Sequence, residues 1–256
     1  MRALRARRAH DCRLTPDHAL HSLDEADAFL RDRGLLTRTP DCALPSLYEA
    51  CHEDPYRPGV GGFGEWPATK WPWAGVLAGR PGVVAAKIHR GKTILLDPTT
   101  AALADPICRA EIDRMRRADP GWDRLLGHLA DAGPSTAEDL RVELGLNAPE
   151  LKALRSPLER CGALVTRWAG AEEGGAVEAF EVARWDQLVP AAGGEPELAA
   201  LLVAGVRAAV VAPERELGRW FSWTWRFEPG VVDRLVAEDR LVRPEPGWVA
   251  AGTVSA

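Results

Sequence analysis

Residues 122–132 (WDRLLGHLADA), 135–145 (STAEDLRVELG), 147–161 (NAPELKALRSPLERC) and 163–181 (ALVTRWAGAEEGGAVEAFE) decide how this chain is read. Trp122, Leu125, Leu126 and Leu129 recur at i, i+3, i+4 and i+7, the apolar face of a first helix, and Gly133-Pro134 ends it. Ser135 precedes Glu138 by three residues, the spacing of a capping box, and opens a second helix bearing Leu140 and Leu144. Gly145 is placed to close that helix, where a positive φ is commonly required. Asn147 and Pro149 restart the chain, and Leu151, Leu154, Leu158 and Cys161 give a third helix its buried stripe. Residues 163–168 and 176–181 then read as two strands around a Gly-rich turn at residues 171–175. Helix, helix, helix, hairpin is the order of a winged helix.

In a helix-turn-helix the second helix of the pair enters the major groove, and basic side chains around it contact phosphates. Lys152, Arg155 and Arg160 fall opposite the leucines, and Arg167 and Trp168 fall on the wing. Pro157 threatens to kink or end the third helix and turn Arg160 away, so Lys152, Arg155 and Arg167 are the DNA-contact candidates of this unit. The plainer reading is a solvated face on a packing module. Residues 135–168 carry five basic and five acidic side chains, so the topology rather than the charge supports nucleic acid.

The flanks repeat the order loosely. Ser22 and Glu25 form a second capping-box pattern before Ala26, Phe29 and Leu30, and Gly34 ends that helix. Residues 35–75 are broken by six prolines and read as loop, with one short helix at residues 46–51. Trp66, Trp71 and Trp73 could stack on bases or lid a local core, and packing is the expectation. Two strands flank Arg90-Gly91-Lys92, a basic hairpin bearing Lys87, His89, Arg90 and Lys92; Lys87, Arg90 and Lys92 are its DNA-contact candidates. Asp97 leads into a helix with Leu103, Ile107 and Ile112. After a linker at residues 191–196, a helix over residues 198–211, a second opened by Pro213 and bearing Trp220 and Phe221, a third at Val231–Val236 and a short hairpin follow. The expected fold is therefore mainly α with small β-hairpins (α+β), in tandem winged-helix units. Its expected divisions are a disordered extension at residues 1–21, a degenerate unit with a tryptophan-rich insertion at 22–120, a central winged helix at 121–190 and a C-terminal unit at 191–256.

Composition restricts the function. The chain has 256 residues, 46% hydrophobic and 27% charged, with a net charge of −5, so nucleic-acid binding would have to use a local patch. The five cysteines form no Cys-x-x-Cys pair, and free thiols in a reducing cytoplasm are expected. Cys42, Cys51 and His52 offer three ligands without an evident fourth, so no metal and no cofactor is expected. No phosphate-loop, nucleophile-elbow or metalloprotease motif occurs, and no apolar run is long enough to span a bilayer.

Three stretches resemble the winged-helix family that contains the AlkZ and YcaQ DNA glycosylases. They are Leu-Pro-Ser-Leu-Tyr-Glu-Ala at residues 44–50, Trp-Pro-Trp at 71–73 before Lys87, and the closing Asp-Arg-Leu-Val-Arg-Pro-Glu-Pro-Gly-Trp-Val-Ala-Ala at 239–251. The resemblance implies double-stranded DNA as partner and removal of alkylated bases through a Gln-x-Gln motif. Gln187 is the sole glutamine, so that motif is absent and no catalytic residue carries over. A winged-helix DNA-binding protein without this chemistry is the expectation. The alternatives are a divergent glycosylase that positions water with a carboxylate, for which Glu49, Glu53 and Asp54 are candidates, and a protein-interaction scaffold.

Overall fold

The computed structural model describes residues 1–169 and 179–252; the expected turn at residues 171–175 lies outside them. In chain order its regular elements begin with α1 (Arg2–Asp11), α2 (Leu23–Arg33), β1 (Leu35–Thr37), α3 (Leu47–Ala50) and α4 (Trp73–Ala78). The hairpin β2 (Val84–His89) and β3 (Lys92–Leu96) and the long helix α5 (Pro98–Ala118) complete the first unit. The central unit runs α6 (Pro120–Ala132), β4 (Ser135–Thr136), α7 (Ala137–Leu144), α8 (Ala148–Arg160), β5 (Leu164–Ala169), β6 (Ala179–Arg184) and α9 (Trp185–Leu188). The last unit runs α10 (Ala199–Ala209), β7 (Val211–Pro213), α11 (Val231–Ala237), β8 (Leu241–Glu245) and β9 (Trp248–Ala251).

Each unit carries a three-stranded antiparallel sheet whose short first strand pairs with the third: β1-β3-β2, β4-β6-β5 and β7-β9-β8. The same strand order recurs three times. All three first strands escaped sequence reading, because two or three residues cannot display an alternating pattern. Leu35–Thr37, expected as loop, pairs with Ile94–Leu96. The central helices match their expected positions, with one correction at a cap. Thr136, not Ser135, caps α7: its hydroxyl accepts the Asp139 N–H at 3.1 Å, while the Asp139 carboxylate accepts the Thr136 N–H at 3.3 Å. Ser135 is occupied in β4 opposite Val182. Gly145 closes α7 at φ +61°. Pro157 does not end α8, which continues to Arg160.

Two expectations fail. Residues 1–21 are not a disordered extension: α1 is helical, Cys12 and Leu20 are fully buried, and Arg8 donates to the Ala43 carbonyl at 3.0 Å. The missed signal is that an Arg-rich helix can dock through its arginines, as Arg5 does with its guanidinium over the Trp248 ring at 5.2 Å. The expected second C-terminal helix is replaced by 3₁₀ turns at Glu214–Arg219 and Thr224–Arg226. Its expected start, Pro213, is the last residue of β7. The segment is then held elsewhere in the molecule: Ser222 N–H bonds the Ile88 carbonyl at 2.7 Å, and Trp223 Nε1–H bonds the Cys161 carbonyl at 2.9 Å.

Those tethers accompany a continuous core. Ile88 and Leu96 of the first unit, Leu126 and Leu158 of the second, and Leu202 and Trp223 of the third belong to one buried cluster. A smaller cluster around Phe29, Leu47, Tyr48 and Leu77 takes Trp66 and Trp73 against it, so these two indoles pack, as expected. Trp71 remains 46% exposed. Buried carboxylates staple α5 to its neighbours. Asp105 accepts from Arg109 and Trp185 Nε1, and Glu111 from Arg114 and Arg226. No helix among the described residues is long and apolar enough to cross a membrane.

Candidate nucleic-acid interface

Helix α8 meets the first unit's hairpin at Glu159. Its apolar residues Leu151 and Leu158 are buried in the core, which turns the flank carrying Arg155 and Glu159 toward β2 and β5. Lys87 on β2 reaches Glu159 Oε2 at 2.6 Å; Arg155 donates to Oε1 at 2.7 Å and the Thr166 hydroxyl to the same oxygen at 3.2 Å. The carboxylate is buried, with 5% of its residue surface exposed. Burial pushes its pKa up, but the Lys87 hydrogen bond and the charges of Lys87 and Arg155 outweigh that, and the net shift is downward. Glu159 is therefore a held anion. Arg155 Nε is buried and makes no hydrogen bond among the described residues.

Above this carboxylate lies a cavity of about 420 Å³, with Arg38, Lys87, Arg155, Thr166 and Phe180 in its wall. A second of about 210 Å³ adjoins it through Lys87, Ala137, Arg155 and Glu159, and adds Arg141 and Lys152. The guanidinium of Arg38 lies over the Trp66 ring at 4.3 Å. Together the two walls present Arg38, Lys87, Arg141, Lys152 and Arg155 against the one carboxylate Glu159. An acidic protein thus carries a locally cationic concavity.

The structure divides the candidate contacts among three places. Lys87, Lys152 and Arg155 meet at this cleft. Lys152 is exposed at its rim, as the leucine stripe implies, but Arg155 is not turned outward with it: its side chain is 18% exposed and pairs with Glu159. Arg167 is exposed, pairs with Glu181 across the β5–β6 hairpin at 2.5 Å, and lines neither cavity. Arg90 and Lys92 reach instead to Asp41, at 2.8 and 2.7 Å. The candidate carboxylates are elsewhere as well. Glu53 accepts the backbone N–H groups of Thr69 and Lys70, a loop staple, and Asp54 is exposed. Glu49 sits on α3, and none of the three lines the cleft. Glu159 went unread as a site residue because, within α8, it looks like ordinary surface charge; only the packing of β2 against α8 buries it.

A second constellation lies beside the hairpin tip. His89 is fully buried rather than part of a basic tip; its Nδ1 lies 2.5 Å from the Trp220 carbonyl and its Nε2 2.8 Å from Asp41 Oδ1. Cys42 Sγ is 3.9 Å from the same Nε2. Asp41, Cys42 and His89 are thus a set of side chains that could hold a metal ion. The trio of Cys42, Cys51 and His52 does not assemble: Cys51 bonds the Leu47 carbonyl and His52 the Arg13 carbonyl.

No family model matches the chain, and no curated protein matches it. Among solved structures, the Streptomyces sahachiroi DNA glycosylase AlkZ superposes with a TM-score of 0.55 over 94% of this chain at 15% identity. The chain spans 66% of that protein's length. The three tandem helix-and-hairpin units of this chain are therefore arranged in an AlkZ-like fold.

Proposed function

We propose that the chain binds double-stranded DNA through the cleft around Glu159, with Lys87, Arg141, Lys152 and Arg155 taking phosphates and Arg38 at its inner wall. The supporting observation is the concentration of five cations around a concavity in a chain of net charge −5. Likeness to AlkZ in fold is consistent with that partner. The test is fluorescence anisotropy with a short duplex over a salt series. Binding should weaken with salt at a slope of about −0.9 per phosphate contacted, and Lys152→Ala with Arg141→Ala should reduce both affinity and slope. A salt-independent affinity, or one unchanged in that double variant, refutes the reading.

A second reading has its own observation. Among the described residues, Glu159 is the only carboxylate in the wall of these cavities, and an ionised carboxylate beside a cavity is what a water-positioning base excision would need. The Gln-x-Gln chemistry does not serve here. Gln187 donates to the Leu129 carbonyl and accepts the Arg184 N–H on α9, outside the cavity walls. Release of an alkylated base that stops in Glu159→Gln, with duplex affinity retained, would support excision. Binding without release supports the non-enzymatic reading.

A further inference from the structure

We propose that Asp41, Cys42 and His89 form a binding site for one divalent transition-metal ion of the zinc type, open on its fourth side to the cavity lined by Arg90, Arg215, Arg219 and Trp220. The site is separate from the Glu159 cleft and does not depend on DNA binding.

His89 aims one ring nitrogen at the other two ligands. A carbonyl only accepts, so the 2.5 Å contact with Trp220 fixes the proton on Nδ1. Nε2 then faces Asp41 Oδ1 at 2.8 Å and lies 3.9 Å from the Cys42 sulfur. A proton on Nε2 satisfies Asp41, whose Oδ1 also accepts from Arg90 Nη2 at 2.8 Å. With Nε2 bare, a cation between Nε2, Oδ1 and the sulfur takes that proton's place, because all three then donate lone pairs inward.

The supporting shell has the form metal sites use. The ligating imidazole has its far nitrogen bonded to a backbone carbonyl, which fixes tautomer and ring plane. Asp41 divides its oxygens: Oδ2 is held by Lys92 at 2.7 Å, while Oδ1 faces His89 and accepts from Arg90 at 2.8 Å, the contact an ion would replace. The three ligand atoms all lie within 4.8 Å of one another. Tetrahedral zinc with bonds of roughly 2.0–2.3 Å needs ligand atoms about 3.3–3.6 Å apart, so closure requires shifts of about half an ångström per atom. A cavity of about 300 Å³ beside them leaves room for a water as fourth ligand. Thiolate, imidazole and carboxylate together suit Zn²⁺ and Co²⁺ better than Mg²⁺ or Ca²⁺. On binding, the Cys42 S–H bond and any N–H bond at His89 Nε2 break, the protons go to solvent and sulfur–metal and nitrogen–metal bonds form, with no change of oxidation state.

Arg90 is the competitor. Its guanidinium occupies the position the ion would take, with 36% of the side chain exposed. The turn it stands in has left-handed Arg90 and Gly91 at φ +53° and +79°, while His89 and Lys92 stay paired beneath it. Swinging the guanidinium out breaks its contacts with the Asp41 carboxylate and carbonyl and frees Oδ1, while Lys92 keeps Oδ2 in place.

The experiment titrates the full chain with Zn²⁺, and separately with Co²⁺ followed optically. The expected result is one ion per chain, release of the Cys42 proton together with any proton on His89 Nε2, and a Co²⁺ spectrum with four-coordinate visible bands and a near-ultraviolet thiolate-to-cobalt band. Cys42→Ser should abolish the thiolate band and weaken Zn²⁺ by at least about tenfold, while Arg90→Ala should tighten it. Both positions are partly exposed, so these variants carry the test even where His89→Asn fails to fold. Absence of Zn²⁺ binding at micromolar concentration overturns the proposal. So does binding that survives Cys42→Ser with its thiolate band intact.

Discussion

Replacing Lys87 by Met tests whether the held anion at Glu159 stabilises the fold. Lys87 donates at 2.6 Å to a carboxylate whose side chain is 6% exposed, while the lysine itself is 43% exposed. Exposed ion pairs contribute about 0.2–1 kcal/mol, and removing one partner of a fully buried pair costs about 3–5 kcal/mol. This pair is buried at one end only, and Arg155 and Thr166 remain on Glu159 in the variant. The loss should therefore be about 1–2 kcal/mol, or roughly 2–8 °C in melting temperature for a chain of this size. The folded carboxyl pKa lies below its ordinary value. Its stabilisation is therefore complete above the unfolded pKa, near 4.3, and disappears as pH falls through the lower folded value. Thermal melts of wild type and Lys87→Met should accordingly differ at pH 7 and converge below about pH 4. In Glu159→Gln, Lys87→Met should cost less than it does in wild type, since no buried charge is then left under-paired. Equal melting temperatures at pH 7, or a gap that stays constant down to pH 3, would refute the reasoning.

Arg141→Ala with Lys152→Ala, both exposed, should leave the melt within about 0.5 kcal/mol per site while lowering the salt slope of duplex binding by about 0.9 for each phosphate no longer neutralised. Gly162→Ala should cost more than about 1 kcal/mol in chemical denaturation, because φ is +81° and the new Cβ would stand 2.6 Å from Cys108 Sγ. Trp185→Phe removes the 2.9 Å bond to the buried Asp105 carboxylate; a stability decrease of about 1.5–3 kcal/mol is expected in the same denaturation assay for a hydrogen bond to a charged group.

Helices were legible wherever a stripe and a cap coincided. The leucines of α6, the start of α8 at Asn147 and Pro149 and Gly145 at a left-handed φ all follow from side-chain chemistry within a few residues. The hairpins of β2–β3 and β8–β9 were legible for the same reason. What stayed hidden depends on distant partners. Strands β1, β4 and β7 exist only because a later strand pairs with them. Helix α1 is held by Ala43 and Trp248, far along the chain. Lys87 and Glu159, 72 residues apart, each looked like surface charge.

That separation determines what the working unit is. The central segment has its own helices and three-stranded sheet, yet α8 alone cannot make the cleft, because Lys87 and Arg38 come from the first unit. The shared core extends this dependence to the third unit, whose Trp223 bonds the Cys161 carbonyl at the end of α8. Cut out of the chain, α8 would lose Lys87 from Glu159 and expose apolar surface that Ile88 and Trp223 now cover. The cationic concavity is thus a property of two docked units: without the hairpin of the first against α8, Glu159 is an ordinary helix-surface acid, and its neighbours lose the wall that encloses them.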